Sequence, residues 1–274
     1  MKKGLELTGS LAIVTGGAGG IGFCFARQLY DMGCSLLLID ISKERLQSAC
    51  KALSESNKTS ADNQSVHSLC LDLTAPDMID RLDDFCKKEL LEPDILINNA
   101  GIFSFKPVTS HNDKHLETFI DLHVRAVVML SKWFCAMRAP YHSGRLLNMS
   151  SMSCWMPMPG IALYSSTKAF IRVFTRALHY EMKDNGVNVM VACPGGIATD
   201  LFGLPANLKK LAVSLGVLDT PEKFAKKAVN KLLKGKKQYI NGWLNRFSIF
   251  FVSIMPTPVR MLVKRKLLDK GIVR

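Results

Sequence analysis

Short, continuous apolar runs alternate with longer amphipathic segments along the first two-thirds of the chain. The apolar runs, which predict buried strands, are 11–14, 35–39, 66–71, 95–97, 145–149 and 187–192. The segments with helical periodicity are 21–32, 42–54, 76–91, 114–137 and 164–183. Continuous apolar strands separated by amphipathic helices are typical of a parallel sheet covered on both faces. The pattern therefore predicts an α/β fold of three layers around a doubly wound parallel sheet.

The alternation changes after Thr199. A further helix is predicted near 221–234, and residues 235–274 form a basic tail with many apolar side chains. We therefore treat residues 1–274 as one domain, with 8–200 as its core and 235–274 as a basic amphipathic extension. The formal net charge is +13, and residues 203–274 hold 16 basic and 3 acidic side chains, which accounts for the whole excess.

The charged, apolar tail has more than one interpretation. Apolar residues beside many cations suit peripheral contact with an anionic membrane surface. The same residues could equally cover the core or form a dimer contact while the lysines stay solvated. We do not expect nucleic-acid binding, because no recognition motif accompanies the charge.

Composition places the chain among ordinary globular proteins, with 48% apolar and 22% charged residues in 274. Its eight cysteines are scattered without disulfide-type or metal-type spacing, so we expect reduced thiols and no metal site. No secretory signal and no apolar stretch of about 18 residues is present. The expected location is cytoplasmic, with peripheral membrane contact as an option.

A glycine-rich run, Thr15 to Gly22, follows the first strand and opens the first helix. Two registers fit a dinucleotide motif, one on Gly17, Gly19 and Gly22 and the other on Gly16, Gly20 and Gly22. Glycines let backbone approach a pyrophosphate, and a helix N-terminus supplies free N–H donors. The run therefore predicts the phosphate site of a dinucleotide cofactor.

Asp40 ends the second strand, 18 residues after Gly22. A carboxylate there can accept hydrogen bonds from the adenosine ribose hydroxyls and repels a 2′-phosphate. Ile41 follows it, and the glycine run carries no Lys or Arg. These features favour NAD(H), although the nearby Lys43 keeps NADP(H) possible.

Tyr164 and Lys168 lie four residues apart on a predicted helix, and Ser151 lies thirteen residues before Tyr164. A tyrosine with a pKa of about 10 is a poor base at neutral pH. An ammonium one helical turn away stabilises the phenolate and would lower that pKa. The pattern predicts a tyrosine acid/base assisted by Lys168, with Ser151 orienting the substrate oxygen.

Together, in this order and at these separations, the glycine run and these three side chains resemble the short-chain dehydrogenase/reductase family. Its members move hydride between a nicotinamide cofactor and an alcohol or ketone. The resemblance implies a Rossmann-type fold and a homodimer or homotetramer. The tail resembles that of the branch that includes bacterial ketoacyl reductases and 17β-hydroxysteroid dehydrogenases. Ser150 competes with Ser151 as the orienting serine, and the thirteen-residue offset favours Ser151.

The resemblance also implies a set of residues around the cofactor, from the glycine run to a Pro-Gly motif after the last core strand. These residues are Gly16, Gly20, Ile21, Gly22, Asp40, Asp72, Leu73, Asn99, Ala100, Gly101, Tyr164, Lys168, Pro194, Ile197 and Thr199.

One position departs from the family pattern. The family usually has an asparagine 41 residues before the tyrosine, where it completes a proton relay through water, and this chain has His123. A neutral histidine can still hydrogen-bond a water, so His123 is a fourth candidate catalytic residue. The same departure supports a non-enzymatic, cofactor-binding homologue as an alternative.

Residues 201–220 fall where the family carries its substrate lid. Phe202 and several leucines dominate this region, and Trp155, Met156 and Met158 are expected across the cleft. Such walls suit a steroid, a fatty-acyl chain or another small apolar ketone. The predicted function is hydride transfer to or from a hydroxysteroid-like secondary alcohol or ketone, with 3-oxoacyl thioester reduction as the alternative.

Overall fold

The computed structural model describes residues 7–56, 64–197 and 219–269. Seven parallel strands form one sheet in the order β3-β2-β1-β4-β5-β6-β7. They are β1 (Leu11–Thr15), β2 (Ser35–Asp40), β3 (Val66–Cys70), β4 (Ile95–Asn98), β5 (Gly144–Met149), β6 (Val187–Ala192) and β7 (Gln238–Tyr239). The predicted Rossmann-type sheet is therefore confirmed, and β7 is an edge strand of two residues that the hydrophobic pattern did not reveal.

Helices flank the sheet, and the last two of them belong to the C-terminal tail. They are α1 (Gly20–Tyr30), α2 (Lys43–Ser56), α3 (Met78–Lys88), α4 (Asp113–Ile120), α5 (Ala126–Arg138), α6 (Ala162–Glu181), α7 (Pro221–Leu233), α8 (Trp243–Ser253) and α9 (Thr257–Val263). The long helix expected over 114–137 is divided by a π-helical turn at Asp121–Arg125. Periodicity did not predict this turn, because π-helical hydrogen bonding is rare and occupies a single turn within a longer helical segment.

Residues of β1 alternate between two apolar clusters on opposite faces of the sheet. Val14 belongs to the cluster that contains Phe25 of α1 and Phe224 of α7, whose rings meet edge to face with centroids 6.1 Å apart. Ile13 belongs to the opposite cluster, with Phe134 of α5. Because both faces are buried, β1 needs apolar residues at every position, which explains its continuous apolar run.

Buried polar side chains join the strands near their carboxyl ends. Asn98 and Asn148 are opposite each other in the β4–β5 register, and the Asn98 Nδ2 donates to the Asn148 Oδ1 at 2.8 Å. The Asn148 Nδ2 donates to the Thr175 Oγ1 of α6 at 3.0 Å. These bonds pair both Nδ2 groups and the Asn148 Oδ1, although the buried Asn98 Oδ1 has no partner, and they hold α6 against β5.

Thr15 links the end of β1 to the residues that follow β4. Its Oγ1 accepts hydrogen bonds from the backbone N–H groups of Asn99 at 2.9 Å and Ala100 at 3.1 Å. The Asn99 Nδ2 in turn donates to the Thr15 carbonyl oxygen at 3.1 Å. The two loops predicted to contact a cofactor are thus held together by one hydroxyl and one amide.

This link leads to a stability prediction for Thr15→Val. Valine preserves the shape of the side chain but removes the acceptor for both N–H groups, so the free energy of unfolding should fall by about 1–3 kcal/mol. Thr15→Ser is the matched control, because it keeps the hydroxyl and loses only a methyl group. Urea unfolding of the three proteins measures the effect. Equal stability of the valine and serine variants would contradict the proposed role of the hydroxyl.

Candidate active site

The predicted site residues gather at one edge of the sheet. Parallel strands all end at the same edge, so the segments that follow β1, β2, β4, β5 and β6 converge there. This edge brings together the glycine run, Asp40, Asn99, Ser151 and Pro194, which lie far apart in sequence. Thr199 and most of the expected lid, 201–220, lie outside the described residues.

The glycine run forms a tight turn from β1 into α1. Gly16 has φ +61°, and a Cβ there would lie 3.0 Å from the Ala100 Cα. A Cβ on Gly22 would overlap the Gly16 carbonyl oxygen, so α1 can pack this close only with glycine. Cβ atoms on Gly19 and Gly20 would meet nothing within 4 Å. The start of α1 therefore presents exposed backbone to open space, which suits a pyrophosphate group.

Asp40 lies at the end of β2 with its side chain 8% exposed. Its Oδ1 accepts from the Ser42 backbone N–H at 3.1 Å and lies 3.2 Å from the Arg45 Nη2. The cation beside the carboxylate is thus Arg45, on the first turn of α2, whereas the sequence interpretation considered only Lys43. The sequence does contain a signal for this contact. Arg45 is five residues after Asp40, and a residue in the first turn of the following helix lies close to the end of the strand.

Asp72 and Leu73 follow β3. The Asp72 Oδ1 accepts from both the backbone N–H and the hydroxyl of Thr74 at 2.8 Å, which closes a local turn, and Leu73 is buried.

The Pro-Gly segment follows β6. There the backbone N–H of Gly195 donates to the Asn241 Oδ1 at 2.7 Å. Ile197 is buried and bridges to Asp219. The Pro-Gly segment is therefore held by Asn241 after β7 and by Asp219 before α7, which sequence reasoning did not connect with it.

Tyr164 is buried on the first turn of α6, and its hydroxyl is hydrogen-bonded to the Ser151 hydroxyl. The Ser151 Oγ also accepts from the Ser153 backbone N–H at 3.1 Å. The Ser150 Oγ instead donates to the Lys168 carbonyl oxygen at 2.7 Å, so it ties the helix to β5. The structure thus places Ser151, and not Ser150, beside the tyrosine hydroxyl.

Lys168 lies one turn after Tyr164, with its Nζ 5.7 Å from the centre of the Tyr164 ring. The Nζ donates to the Met149 carbonyl oxygen at 3.1 Å. Burial lowers the pKa of Lys168 to about 8. Burial raises the pKa of Tyr164 to about 12, although the Ser151 hydrogen bond lowers it. Tyr164 therefore holds its proton at neutral pH and is suited to donate it.

The pKa of Tyr164 differs from the sequence expectation. We expected Lys168 to lower it, but the raising effect of burial dominates, and Lys168 is not among the groups that lower it. The physical reason is that the ammonium is directed at the Met149 carbonyl oxygen and not at the phenol oxygen.

His123 lies in the π-helical turn and is fully buried. Its Nε2 accepts from the Ile102 backbone N–H at 3.1 Å, which leaves the proton on Nδ1. The Nδ1 lies 3.2 Å from the Thr167 Oγ1, and the Thr167 hydroxyl donates to the Tyr164 carbonyl oxygen at 3.0 Å. Burial, and then the charge of Lys168, keep the pKa of His123 well below 6.5.

These contacts define what His123 does in the structure. Both ring nitrogens are engaged by protein atoms, and together they join the loop after β4 to Thr167 on the second turn of α6. Relay through a water stays a prediction, and the observed contacts describe a residue that positions the Tyr164 helix.

Apolar side chains lie near Tyr164 and in the segments on either side of it. The Phe103 ring meets the Tyr164 ring edge to face at 5.0 Å between centroids. A Cβ on Gly160 would lie 2.8 Å from the Phe105 ring and 3.1 Å from the Leu268 Cδ2, so both side chains converge just before α6. Trp155 stacks under the Arg172 guanidinium at 4.4 Å. Sequence reasoning named Trp155 and missed the other three side chains, which come from the loop after Gly101 and from the tail.

Comparison with known proteins identifies the family. The profile described as short chain dehydrogenase matches residues 10–205. The chain belongs to the short-chain dehydrogenase family. It is 26% identical over 260 residues to very-long-chain 3-oxoacyl-CoA reductase-B of Danio rerio, covering 93% of this chain and 78% of that protein. It is 28% identical to the 3-oxoacyl-(acyl-carrier-protein) reductase of Rickettsia conorii, covering 87% of this chain and 95% of that protein.

Solved structures show the same fold. A short-chain dehydrogenase from Sphingobium yanoikuyae in complex with NADPH superposes with a TM-score of 0.75 at 21% identity, covering 94% of this chain and 96% of that chain. A 7beta-hydroxysteroid dehydrogenase superposes with a TM-score of 0.80 at 23% identity, covering 92% and 94%. The protein is therefore an NAD(P)-dependent oxidoreductase that acts on CH–OH groups. The non-enzymatic alternative is set aside.

The buried, neutral His123 leads to a prediction about stability and pH. Its folded pKa is depressed, so its contribution to stability is present above pH 6.5 and is lost as the pH falls below 6.5. In that range the free energy of unfolding should fall by about 1.4 kcal/mol per pH unit from this group. His123→Gln lacks the titrating group, so its stability should depend less on pH.

Chemical denaturation between pH 5 and pH 8 measures this difference, with pH values chosen around the ordinary histidine pKa of about 6.5. His142→Asn is the control, because His142 is an exposed histidine with φ +47° that asparagine tolerates. The control should follow the wild-type curve. A His123→Gln curve parallel to the wild type would show that His123 is not held neutral.

Proposed function

We propose that this protein transfers hydride between NAD(P)(H) and a hydrophobic secondary alcohol or its ketone. The observation that carries the proposal is the buried Tyr164 hydroxyl, hydrogen-bonded to Ser151 and lined by apolar side chains at the carboxyl edge of the sheet. The residues present fit a dinucleotide, because the backbone at Gly19 and Gly20 faces open space and Asp40 offers a carboxylate for ribose hydroxyls. When bound, the nicotinamide supplies or accepts the hydride.

The side chains divide the remaining chemistry. Ser151 and Tyr164 hydroxyls would both hydrogen-bond the substrate oxygen, which orients the carbonyl carbon. As that carbon gains hydride, Tyr164 gives its proton to the oxygen, and the product is the alcohol. Lys168, whose Nζ donates to the Met149 carbonyl oxygen, holds the helix that carries Tyr164 against the end of β5. In the opposite direction Tyr164 must first lose its proton, which its raised pKa opposes.

The substrate class follows from the walls of the site. Phe103 packs edge to face on the Tyr164 ring, and Phe105 and Leu268 converge on the backbone of Gly160, four residues before Tyr164. Trp155 ends the turn that follows Ser151. Pockets of this kind take ligands with large apolar bodies and one or two polar atoms. A hydroxysteroid-like substrate fits this description. A 3-oxoacyl thioester is the second candidate, favoured by the names of the Danio rerio and Rickettsia conorii relatives.

The central prediction concerns Tyr164→Phe. Loss of the proton donor should lower kcat/KM by about 100-fold or more, whereas binding of NADH or NADPH should persist. Absorbance of the reduced nicotinamide would be followed with a panel of hydroxysteroids and 3-hydroxyacyl thioesters, and with the corresponding ketones. Tyr180→Phe is the matched control, because Tyr180 lies on the same helix but is exposed and bonded to Lys237.

The two substrate classes separate in this assay. Turnover of acyl thioesters without turnover of steroids would select the second candidate. Full activity of Tyr164→Phe on any substrate would overturn the assigned role of the tyrosine.

The pair formed by Asp40 and Arg45 governs the choice between NAD(H) and NADP(H) in our proposal. The carboxylate favours NAD(H) by accepting from ribose hydroxyls and by repelling a 2′-phosphate. The Arg45 guanidinium, 3.2 Å away and 61% exposed, is free to turn toward such a phosphate. We propose that NAD(H) is preferred and that Arg45 permits use of NADP(H).

Replacement of each member of this pair tests the proposal. Asp40→Ala should shift the ratio of kcat/KM values toward NADP(H), and Arg45→Ala should shift it toward NAD(H). Each shift should be about tenfold, as expected for ~1.4 kcal/mol. Lys43→Ala is the control and should leave the ratio near that of the wild type. An Arg45→Ala variant with an unchanged ratio would exclude Arg45 from cofactor selection.

A further inference from the structure

Helix α8 presents its largest apolar side chains to solvent. The side chains directed away from the protein are exposed by 53–75%, and they are Trp243, Phe247, Phe250, Phe251 and Ile254. The side chains directed inward are smaller or more polar. Among them, the Asn245 Nδ2 donates to the Asn241 carbonyl oxygen at 2.9 Å, and Ile249 packs against the buried side chains of Val191, Cys193 and Ile240.

This arrangement is the reverse of that in a surface helix in water. Such a helix buries its apolar stripe and exposes its polar face. Here the helix α9 that follows continues the exposed apolar surface with Val259, Met261 and Leu262. We refer to the exposed apolar side chains of α8 and α9 as the tail face. A contiguous apolar surface of this kind marks a protein or membrane contact.

The charge beside the tail face indicates which contact it makes. Residues 243–266 contain five basic side chains and no acidic one. Among them, Lys264, Arg265 and Lys266 are exposed in the π-helical segment Lys264–Asp269 that follows α9. Two copies of this surface would bring like charges together, whereas an anionic lipid surface attracts them at about 1 kcal/mol per Lys or Arg. The combination favours a membrane over a second copy.

The dimensions favour a helix pair that lies on the membrane and does not cross it. Within the described residues, no single helix has the length and apolar character of a membrane span. Only the pair Trp243–Ser253 and Thr257–Lys266 reaches that length and apolar character when the two are taken together, and they are bent by 103° at the break between them. The 11 residues of α8 extend about 16 Å, roughly half the thickness of a hydrocarbon core. A bent pair with aromatic side chains on one face and cations nearby suits the interface between lipid and water.

The tail also contacts the candidate active site. Ile249 packs against the buried cluster of Val191, Cys193 and Ile240, as do Cys154 and Trp155 in the turn that follows Ser151. Leu268 and the Phe105 ring both lie beside the backbone of Gly160. Gly160 is four residues before Tyr164 in the chain. A membrane seated on the tail face would therefore lie close to the apolar walls of the site.

We propose that the tail face docks on the surface of a membrane that contains anionic lipids, with Trp243, Phe247 and Phe250 inserted among the headgroups and the basic side chains at the phosphates. Docking places the site beside the lipid, from which an apolar substrate can enter with little exposure to water. The docking itself is independent of the proposed substrate.

Vesicle sedimentation tests the proposal. The full-length protein should bind vesicles of phosphatidylcholine with phosphatidylglycerol, and should bind phosphatidylcholine alone much more weakly. Phe247→Ser/Phe250→Ser and, separately, Lys264→Gln/Arg265→Gln/Lys266→Gln should each reduce binding by about tenfold or more. Leu90→Ser/Tyr141→Ser is the matched control, because it removes two exposed apolar side chains outside the tail and should leave binding unchanged.

Retained NADH binding and an unchanged thermal unfolding temperature would show that each variant is folded. If the phenylalanine variant does not fold, the triple charge variant and the salt dependence of wild-type binding decide the question. Absence of vesicle binding, or equal binding to both vesicle compositions, would overturn the proposal. It would also be overturned if the phenylalanine variant lowers the oligomeric mass in sedimentation velocity and vesicle binding is unaffected, because the face would then contact a second copy.

Discussion

Parallel pairing of the central strands is the constraint on which the rest of the structure depends. Because β1, β4, β5 and β6 run in the same direction, the loops that bear the polar residues all leave the sheet at one edge. Thr15 and Asn99 join two of these loops, and the Asn98–Asn148 bond joins the strands beneath them. The site is thus a property of the sheet edge and not of any one segment.

The helix that carries Tyr164 is held at this edge by several buried contacts. Ser150 bonds to the Lys168 carbonyl oxygen, the Lys168 ammonium bonds to the Met149 carbonyl oxygen, and His123 reaches Thr167. The same burial that gives this rigidity raises the pKa of Tyr164 and lowers that of Lys168. Burial is therefore the physical origin of both the fixed position of the Tyr164 side chain and the retention of its proton.

The two sides of the C-terminal segment differ in what they contact. Residues after β7 support the site from within, because Asn241 holds Gly195 and Ile249 packs, together with Trp155, against the buried end of β6. The opposite side of the same segment exposes aromatic side chains and cations. If the exposed side binds lipid as proposed, binding of the protein to a membrane would also bring the site close to apolar substrates dissolved there.

The sequence by itself determined the α/β class, the parallel sheet, the glycine turn and the order of Ser151, Tyr164 and Lys168. These features rest on local patterns, namely periodicity, strand-turn-helix context and short spacings. Tertiary structure decided which groups meet: Arg45 beside Asp40, His123 between Ile102 and Thr167, and Leu268 beside Phe105. Hydrogen bonds and burial between residues distant in sequence depend on how the elements pack, and no local pattern encodes them. The π-helical turn and the outward direction of the α8 aromatic side chains were decided in the same way.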